Sequence, residues 1–468
     1  MGTTAGPTTL DSQIRNLSDR LDGHVLLPGH DGYDQARSVW NAMIDRRPRL
    51  IVRCASDKDV VAAVRFARAH DLAVGVRCGG HGIAGLAVPD GGLMIDLTPL
   101  FDVRVDPVRR RAWVQGGAML GALDRATQEH GLATTAGNVS HTGVGGLTLG
   151  GGMGWLARQH GLTCDNVVSF AIVTADGELL RASETENPEL YWGLRGGGGN
   201  FGIVTEFEFR LHPVGTRALI ADFHFPVDDA FPVFRQWRDL NAEAPRSATF
   251  TAGVGAAGDE FIPPELRGTP LARVGFVWVG DPKEGRRLHS VMRAFGRPVA
   301  ERVEELSYLR LQVMDDSVEG HARRRYWKGH YLTEFSDDAI RVFLRRGTAD
   351  GTGEHLPSVS LQAYGGAIAD VPDDDTAFSH RDAMFEYVAG TGWTRSDEDD
   401  LRIAATKRCA AALEPYAKGA YVNTMGDEGA AGVRRAYPPH KLARLTALKD
   451  RYDPDNVFRL NHNIAPSR

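Results

Sequence analysis

"VRCGGHGIAGLAVPDGG", residues 76–92, sets one histidine, His81, in backbone almost bare of side chains. A histidine buried for structural reasons needs a cavity and a hydrogen-bond partner, and gains nothing from glycine on three sides. Glycine at 79, 80 and 82 instead removes the Cβ atoms that would hold a ligand off the main chain. The stretch reads as a loop against which something large and flat lies. Glycine clusters again at 143–154 and 196–202. It supplies 54 of the 468 residues, well above the usual ~7%.

G-x-G-x-x-G occurs twice, at Gly80-Gly82-Gly85 and at Gly197-Gly199-Gly202. Neither match opens a helix: the first continues into "LAVPDGG" and the second into the β-type run "IVTEFEF" (203–209). No GK[ST] appears, so a nicotinamide Rossmann unit and a nucleotide hydrolase are both disfavoured. Successive backbone N–H groups can still line a diphosphate. Three such loops suit a long ligand in an extended pose; tight turns alone are the plainer alternative.

Around the loops, "RLIVRC" (49–54), the amphipathic "SDKDVVAAVRFARAH" (56–70) and "LAVGVRC" (72–78) predict a β–α–β unit, with Ser56 as N-cap. "LMIDL" (93–97) and "RAWVQGG" (111–117) predict further strands, and "MLGALDRATQEHGL" (119–132) a helix ended by Gly131. "NVVSFAIVTADGELLRAS" (166–183) predicts a hairpin turning at Asp176-Gly177. The texture changes from 217 to about 419, where strands such as "LIADFHF" and "ARVGFVWVG" alternate with helices and acidic, Pro-containing loops. That pattern predicts an antiparallel sheet with helices on one face. The tail, with a helix and a turn at Asp453-Pro454, is expected to return to the first unit.

The composition, 42% apolar and 24% charged with a formal charge of −6, is ordinarily globular and gives no reason to expect nucleic acid or an anionic membrane as partner. Cys54, Cys78, Cys164 and Cys409 show no CxxC spacing and read as free thiols, so no metal is expected. The first residues lack a secretion h-region, and Gly6 stands where a myristoylation site wants Ser or Thr. These features predict a cytoplasmic protein and leave monomer and homodimer both open.

"RCGGHGIAGLA" (77–87), "AGNVSHTGVGGLTLGGGMGWLARQHGLTCDNV" (136–167), "LRGGGGNFGIVTEFEF" (194–209), "YVNTM" (421–425) and "LKDRYDPDNVFRLNHNI" (448–464) together resemble the berberine bridge enzyme group of the vanillyl-alcohol oxidase superfamily. The resemblance implies an α+β fold. Residues 1–216 and 420–468 would form a two-part FAD-binding domain of the PCMH type, and 217–419 a substrate domain whose sheet roofs the isoalloxazine. It further implies that His81 is bonded to the flavin 8α-methyl and that O2 is the second substrate. By the same resemblance Arg77, Cys78, Gly79, Gly80 and Gly82 lie at the cofactor. Gly137, Val139, Thr142, Gly143, Gly145, Gly146, Gly150, Gly152 and Asn166 join them from the second stretch. Gly202, Ile203 and Val204, then Tyr421, Asn461 and Asn463 from the tail, complete the set.

Two departures narrow this expectation. Many relatives carry a second tether, a cysteine in Ala-Gly-x-Cys, where this chain has Ala136-Gly137-Asn138-Val139. A single histidyl link is therefore expected, as in 6-hydroxy-D-nicotine oxidase rather than the doubly tethered oligosaccharide oxidases. Members with a phenolic base show Tyr-x-Asn-Tyr, where this chain ends Tyr421-Val422-Asn423-Thr424. Threonine is too weakly acidic to replace a phenolate. Either the oxidation needs no strong base, as for a neutral amine that passes hydride directly, or His141, Tyr364 or Tyr421 supplies one. Asn423 and Lys328 are candidates at the substrate, with Gln362 and Tyr364 lining the roof. Thr142, close to valine in size, stands where relatives that react with oxygen keep a small residue. An oxidase taking hydride from a C–H beside an amine or hydroxyl of a small or medium organic molecule is expected, with a dehydrogenase or a carbohydrate oxidase as alternatives.

Overall fold

The helix expected after Ser56 spans Asp57–Ala69 and is capped by the Ser56 hydroxyl, which accepts from the Asp59 amide. Its apolar stripe, Val60, Ala63, Val64 and Ala67, is buried. The flanking strands Leu50–Arg53 and Val74–Arg77 do not pair with each other. Leu93–Asp96, buried along its whole length, inserts between them and runs parallel to both. That run has no polar side to give to water, so it takes the centre of the sheet. His24–Leu26 adds an antiparallel edge. The computed structural model describes residues 10–468. The readings on Gly2 and Gly6 fall outside the described residues.

A second, five-stranded antiparallel sheet runs in the order Val103–Asp106, Arg111–Gln115, Ile203–Arg210, Val167–Val173, Leu179–Ser183. Its last two strands are the predicted hairpin, with Gly177 at φ 73° in the turn. A seven-stranded antiparallel sheet follows, ordered Ala300–Ser307, Arg217–Pro226, Pro270–Val279, Ala248–Ala256, Ser358–Ala363, Phe385–Trp393, Arg324–Leu332. Helices Ala230–Ala242, Pro282–Met292, Asp337–Arg345 and Asp399–Leu413 pack against one face of it. The other face turns toward the glycine-rich loops. Tyr331 and Tyr364 there share a core with Phe378, Tyr421 and side chains of the five-stranded sheet. Among the described residues no helix is long and apolar enough to cross a membrane.

The C-terminal helix Pro439–Tyr452 ends at Asp453, and the chain after it lies along the first two sheets. Lys449 is fully buried and its ammonium reaches three oxygens: Asp453 Oδ2 at 2.5 Å, Asn200 O at 2.9 Å and Phe458 O at 3.3 Å. Asp453 in turn accepts from the amides of Val457 and Phe458. This one pair ties the tail to the 196–202 loop. Removing one partner of a buried ion pair strands the other. Lys449→Met is therefore expected to cost about 3–5 kcal/mol of stability and to expose the tail to proteolysis, read by urea unfolding and limited digestion.

Candidate active site

His81 follows directly from the strand Val74–Arg77, on a segment that turns back at Gly80 with φ 68°. The loop is pressed against the 136–146 stretch so closely that a Cβ on Gly79 would collide with the Gly143 nitrogen, and one on Gly143 with the Cys78 thiol. That approach sets His81 Nε2 2.7 Å from His141 Nδ1. Trp40 stacks on the His81 ring, centroids 4.9 Å apart and planes 20° apart, and Trp327 meets Trp40 edge-on at 5.0 Å. Burial, reinforced by His141, His321 and Arg325, pushes the His81 imidazole down to about 3. At neutral pH it is uncharged and nucleophilic.

Beside His81 opens a cavity of about 450 Å³, in the range of small-molecule sites. Glycine supplies an unusual share of its wall. Gly82, Gly146 and Gly199 line it, yet a Cβ on any of the three would meet nothing within 4 Å. Neither protein packing nor a positive φ explains glycine there; space kept for a ligand does. Asn461 Oδ1 and Asn463 Oδ1 are buried without a hydrogen-bond partner, as expected of groups that face a polar ligand. The residues present fit FAD: a glycine trough for the diphosphate, apolar Ile83, Leu147 and Val204 beside it, and a neutral imidazole at one end.

Most of the expected cofactor residues line this cavity. Cys78, Gly79, Gly80, His81, Gly82, Gly137, Val139, Thr142, Gly143, Gly145, Gly146 and Gly150 do so, as do Gly202, Ile203, Val204, Tyr421, Asn423 and Asn461. Four others lie off its wall. Arg77 faces Asp96 at 3.5 Å, and Gly152 donates its N–H to the Tyr421 hydroxyl. Asn166 bonds His160 O, Leu162 O and His212, tying loops together, and Asn463 is absent from the cavity wall.

The roof residues divide by face. Tyr331 pairs with Glu386 and Glu386 with Gln362 across neighbouring strands, so all three share the face that carries Trp327. Gln362 approaches Asn138 at 3.5 Å. Tyr364, fully buried, donates to Glu386 Oε2 at 3.0 Å. Lys328 falls on the opposite face, with His330, and lies 3.3 Å from Glu428, which also pairs with Arg435. It does not line the cavity, so the geometry supports a mid-strand ion pair with Glu428 and not the expected substrate contact.

Glu386 has no signal in the sequence, and it lies just off the cavity wall, beside Tyr364 and Thr424. Burial lifts its carboxyl to about 7, opposed only in part by the Tyr364 hydroxyl. Its Oε1 has no hydrogen-bond partner. Tyr421 accepts from the Gly152 amide at 2.7 Å and from Asn423 Nδ2 at 2.8 Å, yet burial still pushes its phenol up from the ordinary value. Tyr421 is thus protonated at neutral pH and orients Asn423. Trp40, Trp327 and His321 likewise escape sequence reasoning, since nothing near them in the chain marks a site. His81, His141 and His321 have ring nitrogens within 4.8 Å of one another, a set that could also take a metal ion. The glycine trough leading to it favours the flavin.

Gly82→Val separates cofactor space from protein packing. The flavin-free chain should keep its unfolding free energy within about 0.5 kcal/mol, while FAD affinity, titrated by fluorescence quenching, should fall at least tenfold.

Comparison with known proteins agrees with this geometry. Residues 48–183 match the family model described as an FAD binding domain, and residues 420–465 the model described as berberine and berberine like. An FAD-linked oxidoreductase of Dictyostelium discoideum is 31% identical over 97% of both chains. (R)-6-hydroxynicotine oxidase of Paenarthrobacter nicotinovorans is 30% identical, over 95% of this chain and 97% of its own. The crystal structure of 6-hydroxy-D-nicotine oxidase from Arthrobacter nicotinovorans superposes with a TM-score of 0.83 at 28% identity, covering 96% of this chain and 98% of that one. With the glycine trough, the tail that closes it and these full-length likenesses in hand, the chain belongs to the berberine bridge enzyme-like FAD-linked oxidoreductases.

Proposed function

We propose that the protein is an oxidase whose FAD is held by a single bond to His81, with residues 1–216 and 420–468 cradling the cofactor and 217–419 roofing the substrate. When bound, FAD supplies hydride acceptance from a carbon beside an amine or hydroxyl, and electron transfer to O2 with release of H2O2. The observation that carries the reading is His81: neutral by burial, stacked on Trp40, and set at one end of a cavity walled by glycine. Val139 offers no sulfur for a second bond. Cys78 lines the same cavity, but burial raises its thiol to about 11, so it is a poor nucleophile.

The chain's own contribution to the reaction is placement and proton handling. Asn423, oriented by Tyr421 and Leu147 O, presents its amide to the cavity and can bind a substrate nitrogen or hydroxyl without changing charge. Glu386 lies off the cavity wall, behind the hydroxyl of Thr424 that lines it, and takes the substrate proton through that hydroxyl: a carboxyl poised near the working pH is a better general base than the phenol of Tyr421. Thr142 keeps the cavity wall narrow in bulk, which suits access by O2. The family likeness to (R)-6-hydroxynicotine oxidase supports an amine as the group oxidised.

Acid precipitation tests the tether: the parent pellet should retain yellow flavin and the His81→Ala pellet should lose it. Peroxide release in air, screened against amines, alcohols and sugars, tests the activity. Because the Glu386 carboxyl is raised, its basic form grows as pH climbs through about 7. The substrate-dependent rate of flavin bleaching should rise over that interval, and Glu386→Gln should lower it about 10²-fold or more and flatten the profile.

A further inference from the structure

The surroundings of the hydrogen bond between His81 and His141 point to its direction. His141 Nδ1 lies 2.7 Å from His81 Nε2, and its other nitrogen, Nε2, lies 3.4 Å from the carbonyl oxygen of Asp316. A carbonyl only accepts, so His141 carries its proton on Nε2 and offers Nδ1 as an acceptor. The proton in the shared bond then belongs to His81 Nε2. His81 Nδ1 is left with a free lone pair. The arrangement is held from both sides: Ser140 gives its N–H and its hydroxyl to the two carboxylate oxygens of Asp316 at 2.8 and 2.6 Å, and Trp40 fixes the plane of His81. His321, exposed, stands 5.1 Å from the His141 ring.

Resting on the histidyl tether proposed above, we propose that His141 is a positioning residue for cofactor attachment. It holds His81 in the tautomer whose Nδ1 attacks, and it takes the Nε2 proton as the new bond forms. The bond made is His81 Nδ1 to the 8α carbon, and the bond broken is one 8α C–H. The methyl hydrogen and the His81 Nε2 hydrogen leave as protons, the second through His141 toward His321 and solvent. The electron pair of the C–H bond passes through the flavin ring to O2, which with the two protons becomes H2O2. Without His141 the attached imidazole would be left as a buried cation beside Arg325, which burial opposes.

The full chain, made under riboflavin limitation and mixed with FAD in air, is precipitated with acid at intervals, and the flavin fluorescence of the pellet is followed. The parent should accumulate pellet flavin and His81→Ala none. His141→Ala should accumulate it at least tenfold more slowly. His141→Asn, whose amide oxygen can accept from Nε2, should recover part of the rate. Added imidazole should speed His141→Ala and leave His81→Ala dark, a response that a merely structural role would not give. A parental rate in His141→Ala, a His141→Asn rate no faster than that of His141→Ala, or a flavin peptide linked through Nε2 would overturn the relay and leave the tether standing. A parent pellet free of flavin would overturn the tether itself, and the relay with it.

Discussion

Gly79 and Gly143 meet back to back, with no room for a side chain on either. This contact between backbones far apart in sequence clamps the loop after Val74–Arg77 to the loop before the helix Val144–Leu149. Leu120 N–H to Thr142 O and Val144 N–H to Ala118 O hold the second loop in turn to the helix Leu120–Gln128. His81 and His141 each sit two residues from this clamp, so their 2.7 Å contact follows from it. A methyl group at either glycine would push the two imidazoles apart and shift the mouth of the cavity together with them.

Burial acts in opposite senses on two ionisable groups of this region, His81 on the cavity wall and Glu386 behind it. It holds His81 neutral by lowering its affinity for a proton, and it raises the carboxyl of Glu386 toward neutrality. Both groups thereby reach pH 7 in a usable form, an uncharged nucleophile below and a carboxyl near its midpoint above. The tyrosines beside Glu386, Tyr331, Tyr364 and Tyr421, are raised by the same burial and stay protonated, so they serve as hydrogen-bond donors and acceptors rather than bases. Separation of roles by environment, in one apolar shell, is how carboxyl and imidazole chemistry coexist in a small space.

Much of the fold is legible in the residues because it is local. Ser56 caps its helix, Gly177 turns its hairpin, and the alternation in "IVTEFEFR" buries Phe207 and Phe209 on one face. The insertion of Leu93–Asp96 between Leu50–Arg53 and Val74–Arg77 is less legible, since strand order depends on which edge is buried. In the site, the glycine loops and His81 announce themselves because the ligand demands missing side chains, and missing side chains are visible in a sequence. Trp40 and Trp327 do not, being ordinary apolar residues, 287 positions apart in the chain, until the fold brings them into contact.

Lys328 and Glu386 mark where sequence reasoning stops. "RRYWKGHYL" offers Trp327 and Lys328 side by side, and a strand sends neighbours to opposite faces. Which of the two faces the cofactor is fixed by register against Phe385–Trp393, and a slip of one residue would exchange them. The register brings Glu386 in opposite Tyr331 and turns Lys328 out to Glu428. The sequence by itself determined that a flat, elongated ligand lies on bare backbone beside one histidine, because absent Cβ atoms and a lone imidazole are properties of residues. Only the tertiary structure decided which polar side chains face that ligand and in what protonation state, because facing and desolvation arise from strands and loops far apart in the chain.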